Sequence, residues 1–323
     1  MSSLEDEVTK QGNLLRNKGD FDGAIAAYTE AICRNPQNAQ PYSSRGQAYL
    51  RKGELDKAIA DCNKAIQLDP MMADAYCTRS SCHGRNGDFD KAMADCTEAI
   101  RLDPKLSEAF RVRAKLHDMK GEFDKAIADF TESIRLKPQC AEAYWGRAHV
   151  YEKKSEFDKA IADFTESIRL DLRHADVYCG RGYAYQKTGK FDKAIADFDE
   201  AIRLDPKHAT TYYNRGLAYF KKGDYDKAIA DFTEAVLLNP KDAEAYYNRG
   251  CTYGKKGEHD KAIADYTAAI RINPKAGHTF YARGNSYRQK GDKAKADADF
   301  AQAEKLGYKA KPGRPDCPNP MNQ

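Results

Sequence analysis

The sequence predicts an all-α fold, an α-solenoid built from nine helix-turn-helix repeats. Proline recurs at positions 36, 70, 104, 138, 206, 240 and 274, so that each gap is 34 residues or, once, twice 34. Between consecutive prolines lie two apolar segments of helical spacing, with a glycine between them. A strict period of this length is typical of stacked repeats, in which a single repeat cannot bury its apolar face alone.

The proline register divides most of the chain into repeats of equal length. The nine predicted repeats are 5–38, 39–72, 73–106, 107–140, 141–174, 175–208, 209–242, 243–276 and 277–310. Residues 1–4 form an N-terminal extension and residues 311–323 a tail. A chain of 323 residues would ordinarily suggest two domains. A solenoid grows by adding neighbours, however, and we therefore expect one extended domain.

The repeat at 243–276 shows how each pair of helices is encoded. The first helix carries Tyr246, Gly250 and Tyr253 on one face, and the second carries Ala262, Ile263, Tyr266, Ala269 and Ile270. Glycine at Gly257 suits a left-handed helix end, and Pro274 stops the second helix.

The last repeat has polar residues where earlier repeats have apolar ones. Lys293, Asp297 and Glu304 occupy positions that face a following repeat elsewhere in the chain. We therefore predict a capping helix over 293–306, since a solenoid needs a polar outer face at its end. The Pro- and Gly-rich composition of residues 311–323 predicts a disordered tail.

The fifth repeat departs most from the pattern. Ser155 stands at the position of the turn glycine, and Leu172 stands where seven other repeats have proline. A residue other than glycine in a left-handed turn costs about 1 kcal/mol. This predicts a looser or bent stack around residues 155–174, with neutral sequence drift as the alternative.

The repeats resemble the tetratricopeptide repeat family. Its pattern of aromatic, Gly, Tyr, Ala, aromatic, Ala and Pro is matched by Tyr212, Gly216, Tyr219, Ala228, Phe232, Ala235 and Pro240. Similar sets recur in every repeat, over residues 5–310. The resemblance implies a right-handed superhelix of antiparallel helix pairs, whose concave face is lined by the first helix of each pair. It also implies a binding scaffold and not an enzyme.

Eight repeats carry arginine where the family has leucine before its glycine, and the same eight carry aspartate in the second helix. The first repeat lacks both, with Gln11 and Ala27 instead. Their joint presence predicts a bidentate pair between the two helices of one repeat, with ligand contact as the alternative. The predicted pairs are Arg45 with Asp61, Arg79 with Asp95, Arg113 with Asp129, Arg147 with Asp163, Arg181 with Asp197, Arg215 with Asp231, Arg249 with Asp265 and Arg283 with Asp299.

The concave face implied by the resemblance carries aromatic residues edged with cations in repeats five to nine. Such a surface can hold a peptide or helix of a partner protein. The candidate binding residues are Trp145, Lys153, Tyr183, Lys187, Tyr213, Asn214, Phe220, Lys221, Tyr247, Asn248, Lys255, Tyr281 and Asn285. In this interpretation the asparagines bond a peptide backbone. Alternatively, the tyrosines are repeat consensus and fill the gap between neighbouring first helices.

Other kinds of partner fit the sequence less well. The family's clamp for chaperone tails needs cations where this chain has Asp74 and Thr78, and asparagine where it has Ser44. A formal charge of +4 from 53 basic and 49 acidic residues gives little attraction for nucleic acid. Single-stranded RNA binding is nevertheless kept as an alternative, together with self-association through the ends of the stack.

No motif for catalysis, a cofactor or a metal appears in the sequence. Cys77, Cys82, His83 and Cys96 match no zinc spacing. No segment has the roughly 20 apolar residues of a membrane span, and the acidic start differs from a secretory signal. Scattered cysteines without a framework spacing favour the cytoplasm.

Overall fold

The predicted all-α fold is confirmed by the computed structural model, which describes residues 4–309. Within that range the chain forms 18 helices and no strand. Residues 1–3 of the predicted N-terminal extension and the predicted tail at 311–323 lie outside the described residues.

Each repeat contributes a first and a second helix, numbered here in chain order. The first helices are α1 (Leu4–Asn17), α3 (Ala39–Lys52), α5 (Ala73–Arg85), α7 (Ser107–Met119), α9 (Ala141–Lys153), α11 (Ala175–Lys187), α13 (Ala209–Lys222), α15 (Ala243–Lys255) and α17 (Gly277–Gln289). The second helices are α2 (Phe21–Arg34), α4 (Leu55–Leu68), α6 (Phe89–Leu102), α8 (Phe123–Leu136), α10 (Phe157–Arg169), α12 (Phe191–Leu204), α14 (Tyr225–Leu238), α16 (His259–Ile272) and α18 (Lys293–Lys305).

The turn inside each repeat takes the conformation that its glycine favours. Among the described repeats, eight have a turn glycine with φ between 75° and 84°. Ser155 holds the same place in the fifth repeat with φ 59°. Side chains with a Cβ rarely adopt this region, so the fifth repeat carries backbone strain that its neighbours avoid.

The end of the fifth repeat also differs from its neighbours. Helix α10 ends at Arg169, one residue earlier in its repeat than α8 and α12 end in theirs. Asp171 then takes a left-handed φ of 70°, and the next helix, α11, begins at Ala175. The predicted hinge around residues 155–174 stays a prediction.

The described chain divides into two compact units, and the division falls within the fifth repeat. The N-terminal unit comprises residues 4–156 and 169–171, and the C-terminal unit comprises residues 157–168 and 172–309. Within each unit, second helices pack against the first helix of the next repeat, and successive first helices also contact one another. The first helices of a unit therefore line one shared face.

The cores of the two units use the same positions, which hold aromatic rings in the C-terminal unit and either a ring (Tyr28, Phe130) or a cysteine in the N-terminal unit. Phe198, Phe232 and Tyr266 are fully buried in the C-terminal unit, each beneath a glycine of the first helix. A Cβ on Gly216 would come within 2.9 Å of the Phe232 ring, so this packing requires glycine. Cys62 and Cys96 hold the corresponding buried positions in the N-terminal unit.

The arginine and aspartate residues of a repeat meet in a bidentate pair. Seven of the eight predicted pairs lie within one unit, and in each of them Nε and Nη2 of the arginine donate to the two carboxylate oxygens at 2.7–2.8 Å. The eighth, Arg147 with Asp163, combines residues of different units and stays a prediction. These aspartates are buried, which makes the pair a structural link between the two helices.

The same arginines also bond the preceding repeat. Nη1 of Arg45 donates to Thr29 at 2.9 Å, and Nη1 of Arg215 donates to Asp199 at 2.5 Å. A second link joins a lysine at the end of a first helix to an aspartate 30 residues earlier. One example is Lys256, which donates to Asp226 at 2.6 Å. The sequence analysis missed this link. The aspartates of this second link are highly exposed, so each such pair adds little stability.

Helix α18 covers most of the predicted capping segment. It spans Lys293–Lys305 and packs on α17. Lys293, Asp297 and Glu304 are all exposed on it. Their exposure agrees with the polar outer face expected of a terminal helix.

Candidate protein-binding site

In the C-terminal unit, the central tyrosines of the predicted ladder pack between helices. Tyr247 on α15 is only 3% exposed. Its ring lies 5.8 Å from that of Tyr266 and 4.8 Å from that of His278, between centroids. Tyr213 is half-buried, and its ring centroid is 5.9 Å from that of Phe232. Both rings therefore contribute to the contacts between helices.

The predicted backbone-binding asparagines are buried as well. Asn248 is 3% exposed and donates through Nδ2 to the Tyr213 hydroxyl at 2.9 Å and to the Glu244 carbonyl at 3.0 Å. Asn214 is 8% exposed. Because the amide hydrogens of Asn248 are committed to these bonds, a partner would have to displace them before bonding this side chain.

Asn285 lies in a different setting. It is buried, and within residues 4–309 neither its amide oxygen nor its amide nitrogen has a hydrogen-bond partner. It lines a cavity of about 80 Å³ together with Lys255, His259 and Ser286. That volume is well below the roughly 300–1,000 Å³ of typical ligand sites.

The other predicted binding residues are more accessible. Lys153 and Lys255 are exposed, and the remainder are half-buried: Trp145, Tyr183, Lys187, Phe220, Lys221 and Tyr281. Lys187 places its ammonium 5.1 Å from the Tyr183 ring centroid, which is a cation–π contact. Trp145 and Lys153 belong to the N-terminal unit, where Nζ of Lys153 bonds the Asp118 carboxylate at 2.7 Å.

A much larger cavity lies on the first-helix face of the N-terminal unit. It measures about 790 Å³ and is lined mainly by α1, α3, α5 and α7. Its apolar lining includes Leu50, Cys77, Val112, Leu116 and the exposed Met119. This volume is within the range of ligand-binding sites, and the combination of apolar wall and polar groups is typical of them.

The lining of this cavity, called here the N-terminal cavity, is mainly basic. Five cations line it: Arg16, Arg51, Arg85, Arg111 and Lys115. The lining carboxylates are Asp74 and Glu108. Arg111 is bound to Glu108 by two hydrogen bonds, which neutralises this pair.

The other four cations have no carboxylate partner among the described residues. Arg16 bonds the Gln47 side chain, and Arg85 bonds the Leu50 carbonyl oxygen at 3.2 Å. Lys115 has an exposed side chain at the cavity wall, yet the protein around its ammonium desolvates it. That desolvation, with the nearby charge of Arg111, lowers the pKa of Lys115 to about 8. Within residues 4–309 no salt bridge therefore neutralises these four cations, while Asp74 and Glu142 lie near enough to act electrostatically on Arg16 and Arg51.

The sequence analysis missed this cavity because it looked for aromatic side chains. Repeats two and three place Gln47, Cys77 and Ser81 at the lining positions, and their small volume leaves the space open. The available signal was the combination of small side chains with unpaired cations at the helix ends, including Arg51 and Arg85.

Within residues 4–309 the helices are too short or too polar to span a bilayer, and no cluster of three potential metal ligands occurs. The described cysteines are free thiols. Burial raises the pKa of Cys96 to about 12 and that of Cys82 to about 11, which leaves both thiols protonated at neutral pH.

Sequence models described as tetratricopeptide repeat match most of the chain. One matches residues 9–73, 111–173, 179–243 and 213–277, a second residues 73–106, and a third residues 277–306. No curated protein matches the chain with significance.

Solved structures with similar folds are numerous. YrrB, described as a TPR protein with an unusual peptide-binding site, is 24% identical with a TM-score of 0.53, over 58% of this chain and 97% of that chain. A tetratricopeptide repeat protein from Parabacteroides merdae is 22% identical with a TM-score of 0.50, over 77% of this chain and 98% of that chain. The Cut9-Hcn1 hetero-tetramer of APC/C gives 18% identity and a TM-score of 0.56, over 94% of this chain and 73% of that chain. At these identities the similarity concerns the fold.

Proposed function

Because the chain belongs to the tetratricopeptide repeat family, a family of protein-interaction scaffolds, we propose that it binds a segment of a partner protein along its first helices. The observation that carries this proposal is the N-terminal cavity of about 790 Å³ on the face formed by α1, α3, α5 and α7. Four helices from successive repeats contribute to one concavity, so a partner segment laid along it contacts several repeats at once. The proposal assigns binding, and no chemical step, to this face.

The C-terminal unit contributes through the accessible members of the predicted ladder. Lys187, Phe220 and Lys255 retain exposed surface, whereas Tyr247 and Asn248 are buried. A partner contact in this unit therefore involves the cations and Phe220, and the buried tyrosine holds the helices that present them. Substituting Lys187 and Lys255 tests this contact without opening the core, whereas Phe220 also packs against the cluster of Leu217, Ala228 and Phe232.

Site-specific photocrosslinking tests the proposed function. A photoreactive phenylalanine analogue replaces Ser81, which lines the N-terminal cavity, and in a matched variant it replaces Thr97, which is exposed on α6. We expect the Ser81 probe to capture a protein that the Thr97 probe does not. The purified partner should bind the wild-type chain and bind the cavity-filling variant Ser81→Tyr at least about tenfold more weakly. Capture of the same proteins at both positions, or of none at Ser81, would contradict the proposal.

A further inference from the structure

We propose that the N-terminal cavity selects an acidic segment of the partner protein, with carboxylate side chains facing the cavity cations and apolar side chains against its wall. This inference rests on the proposed function and adds the chemistry of the partner. It concerns a site that the sequence analysis did not assign.

Charge is the first argument. Of the lining groups, Arg111 and Glu108 neutralise each other. This leaves Arg16, Arg51, Arg85 and Lys115 against Asp74. A concave site lined by one sign of charge focuses its field on the space inside, and a ligand of opposite charge gains most there.

Hydrogen-bonding capacity is the second argument. Arg16 and Arg85 are held by neutral acceptors, the Gln47 amide oxygen and the Leu50 carbonyl oxygen. Each guanidinium has five N–H donors in a planar fork, so most remain available for a carboxylate. The neutral bonds also orient the guanidinium groups before a ligand arrives, which reduces the entropy lost on binding.

The apolar wall distinguishes a peptide from a nucleic acid. The exposed Met119 and the half-buried Leu50 supply most of the accessible apolar surface, to which Val112 and Leu116, 7% and 3% exposed, add little. Among the described residues, the cavity lining has one aromatic ring, that of Phe21. Proteins that bind single-stranded nucleic acid use several successive stacking rings and a continuous basic groove. An extended peptide alternates its side chains and can place acidic and aliphatic groups on the two kinds of lining.

Asp74 stands where a clamp for chaperone tails needs a cation, and Glu108 is a second carboxylate on the same face. In the structure Glu108 repels an acidic ligand less, because its carboxylate accepts hydrogen bonds from Arg111. Burial raises the pKa of Asp74, and the remaining lining cations outnumber this carboxylate. The proposed site uses Arg51, Arg85 and Lys115, which differ from the positions at which a chaperone-tail clamp needs its cations.

Fluorescence anisotropy with the full chain tests the inference. The probe is a labelled peptide of twelve residues, eight glutamates with four leucines interspersed. Matched peptides carry lysine for glutamate, or serine for leucine. The cavity variant is Arg85→Gln with Lys115→Gln, and the control is Lys91→Gln with Arg101→Gln on the outer helix α6, where both cations are highly exposed. Both double variants change the net charge by the same amount.

We expect the cavity variant to bind the glutamate–leucine peptide about tenfold or more weakly, and the control to change its affinity less than about twofold. The charge-conserving variant Arg85→Lys with Lys115→Arg should stay within about threefold of wild type, and circular dichroism should show equal helix content throughout. Replacing leucine by serine should also weaken binding, because the apolar wall loses its contacts.

Four results would overturn the inference. Equal losses in the cavity and control variants would mean that binding depends on net charge alone. Binding of the lysine peptide as tightly as the glutamate peptide would exclude acidic selectivity, and tighter binding of a uridine dodecamer would assign the cavity to RNA. A protein captured at Ser81 that binds independently of Arg85 and Lys115 would refute the acidic class and leave the scaffold function intact. Absence of any captured protein would contradict the scaffold function itself.

Discussion

The two units of this chain use equivalent first-helix positions in opposite ways. In the C-terminal unit, tyrosine occupies the position of Cys77 in three repeats, and one of these, Tyr247, fills the space between α15, α16 and α17. In the N-terminal unit equivalent positions carry small residues such as Cys77 and Ser81, and about 790 Å³ remains open. The comparison teaches that in a repeat stack the binding space arises where side-chain volume is missing. Aromatic residues at lining positions can be core.

Removal of the Tyr247 ring should produce the largest effect. Because this side chain is 3% exposed, Tyr247→Ala should lower the free energy of unfolding by about 3–5 kcal/mol, as for other buried aromatic residues. Ser81→Ala in the N-terminal unit should change it by less than about 0.5 kcal/mol. Urea unfolding followed by circular dichroism measures both. If Tyr247→Ala left the unfolding curve unchanged, Tyr247 would be a surface residue available to a partner, and the comparison between the units would fail.

The arginine–aspartate pair is the feature that the two units share, so its loss should cost the same in each. Asp95→Ala in the N-terminal unit and Asp265→Ala in the C-terminal unit each leave a half-buried guanidinium without its carboxylate. We expect each substitution to lower the free energy of unfolding by about 2–4 kcal/mol, since it leaves the arginine charge without its partner. Adding Arg79→Ala or Arg249→Ala should lower this free energy little further. Additive single and double losses would show that the pairs are not coupled.

These pairs were within reach of sequence reasoning because arginine and aspartate are present together in eight repeats and absent together in the first. Likewise, the turn glycines and prolines predicted where helices end. The role of Tyr247 was not decidable, because a core contact and a ligand contact both call for an aromatic ring at that position. The choice depends on the side chains that surround the ring, here Tyr266 of the same repeat and His278 of the next, which only packing reveals.

The N-terminal cavity was not predicted, because its walls come from four repeats and no single sequence position indicates it. The neutralisation of Glu108 by Arg111 occurs within one helix turn and could have been anticipated. The lack of carboxylate partners for Arg85 and Lys115 follows from which side chains reach them in three dimensions.

The buried thiols of the N-terminal unit allow the core difference to be tested directly. Cys62 packs beneath Gly46 and Cys96 beneath Ser80, whose Oγ lies 2.9 Å from Sγ. Phe232 packs beneath Gly216 in the C-terminal unit, whereas Phe130 in the N-terminal unit packs with Ala114 at that position and beneath Gly146 of α9. We expect Cys62→Phe to be tolerated and Cys96→Phe to cost about 1–3 kcal/mol through overpacking.

The rescue variant is Ser80→Gly combined with Cys96→Phe, which recreates the Gly216 and Phe232 arrangement. Its unfolding midpoint should exceed that of Cys96→Phe alone, although glycine in a helix itself costs about 1 kcal/mol. Equal midpoints for Cys62→Phe and Cys96→Phe would indicate that the opposing residue does not control this core position. Thermal unfolding by circular dichroism provides the comparison.

The smallest expected effect concerns the pH dependence contributed by Lys115 in the N-terminal cavity. Desolvation and the charge of Arg111 lower its pKa to about 8, opposed by Glu108 and Glu142, with Arg85 adding to the lowering. An unfolded lysine titrates near 10.4. Between these values the unfolded chain binds the proton and the folded chain releases it, so this group makes stability rise with pH over that window. Lys115→Met should therefore flatten the increase in stability between about pH 8 and pH 10, whereas Lys64→Met on the outer helix α4 should not. Urea titrations at these pH values measure the slope. If Lys115→Met kept the wild-type slope, the ammonium of Lys115 would be fully hydrated in the cavity.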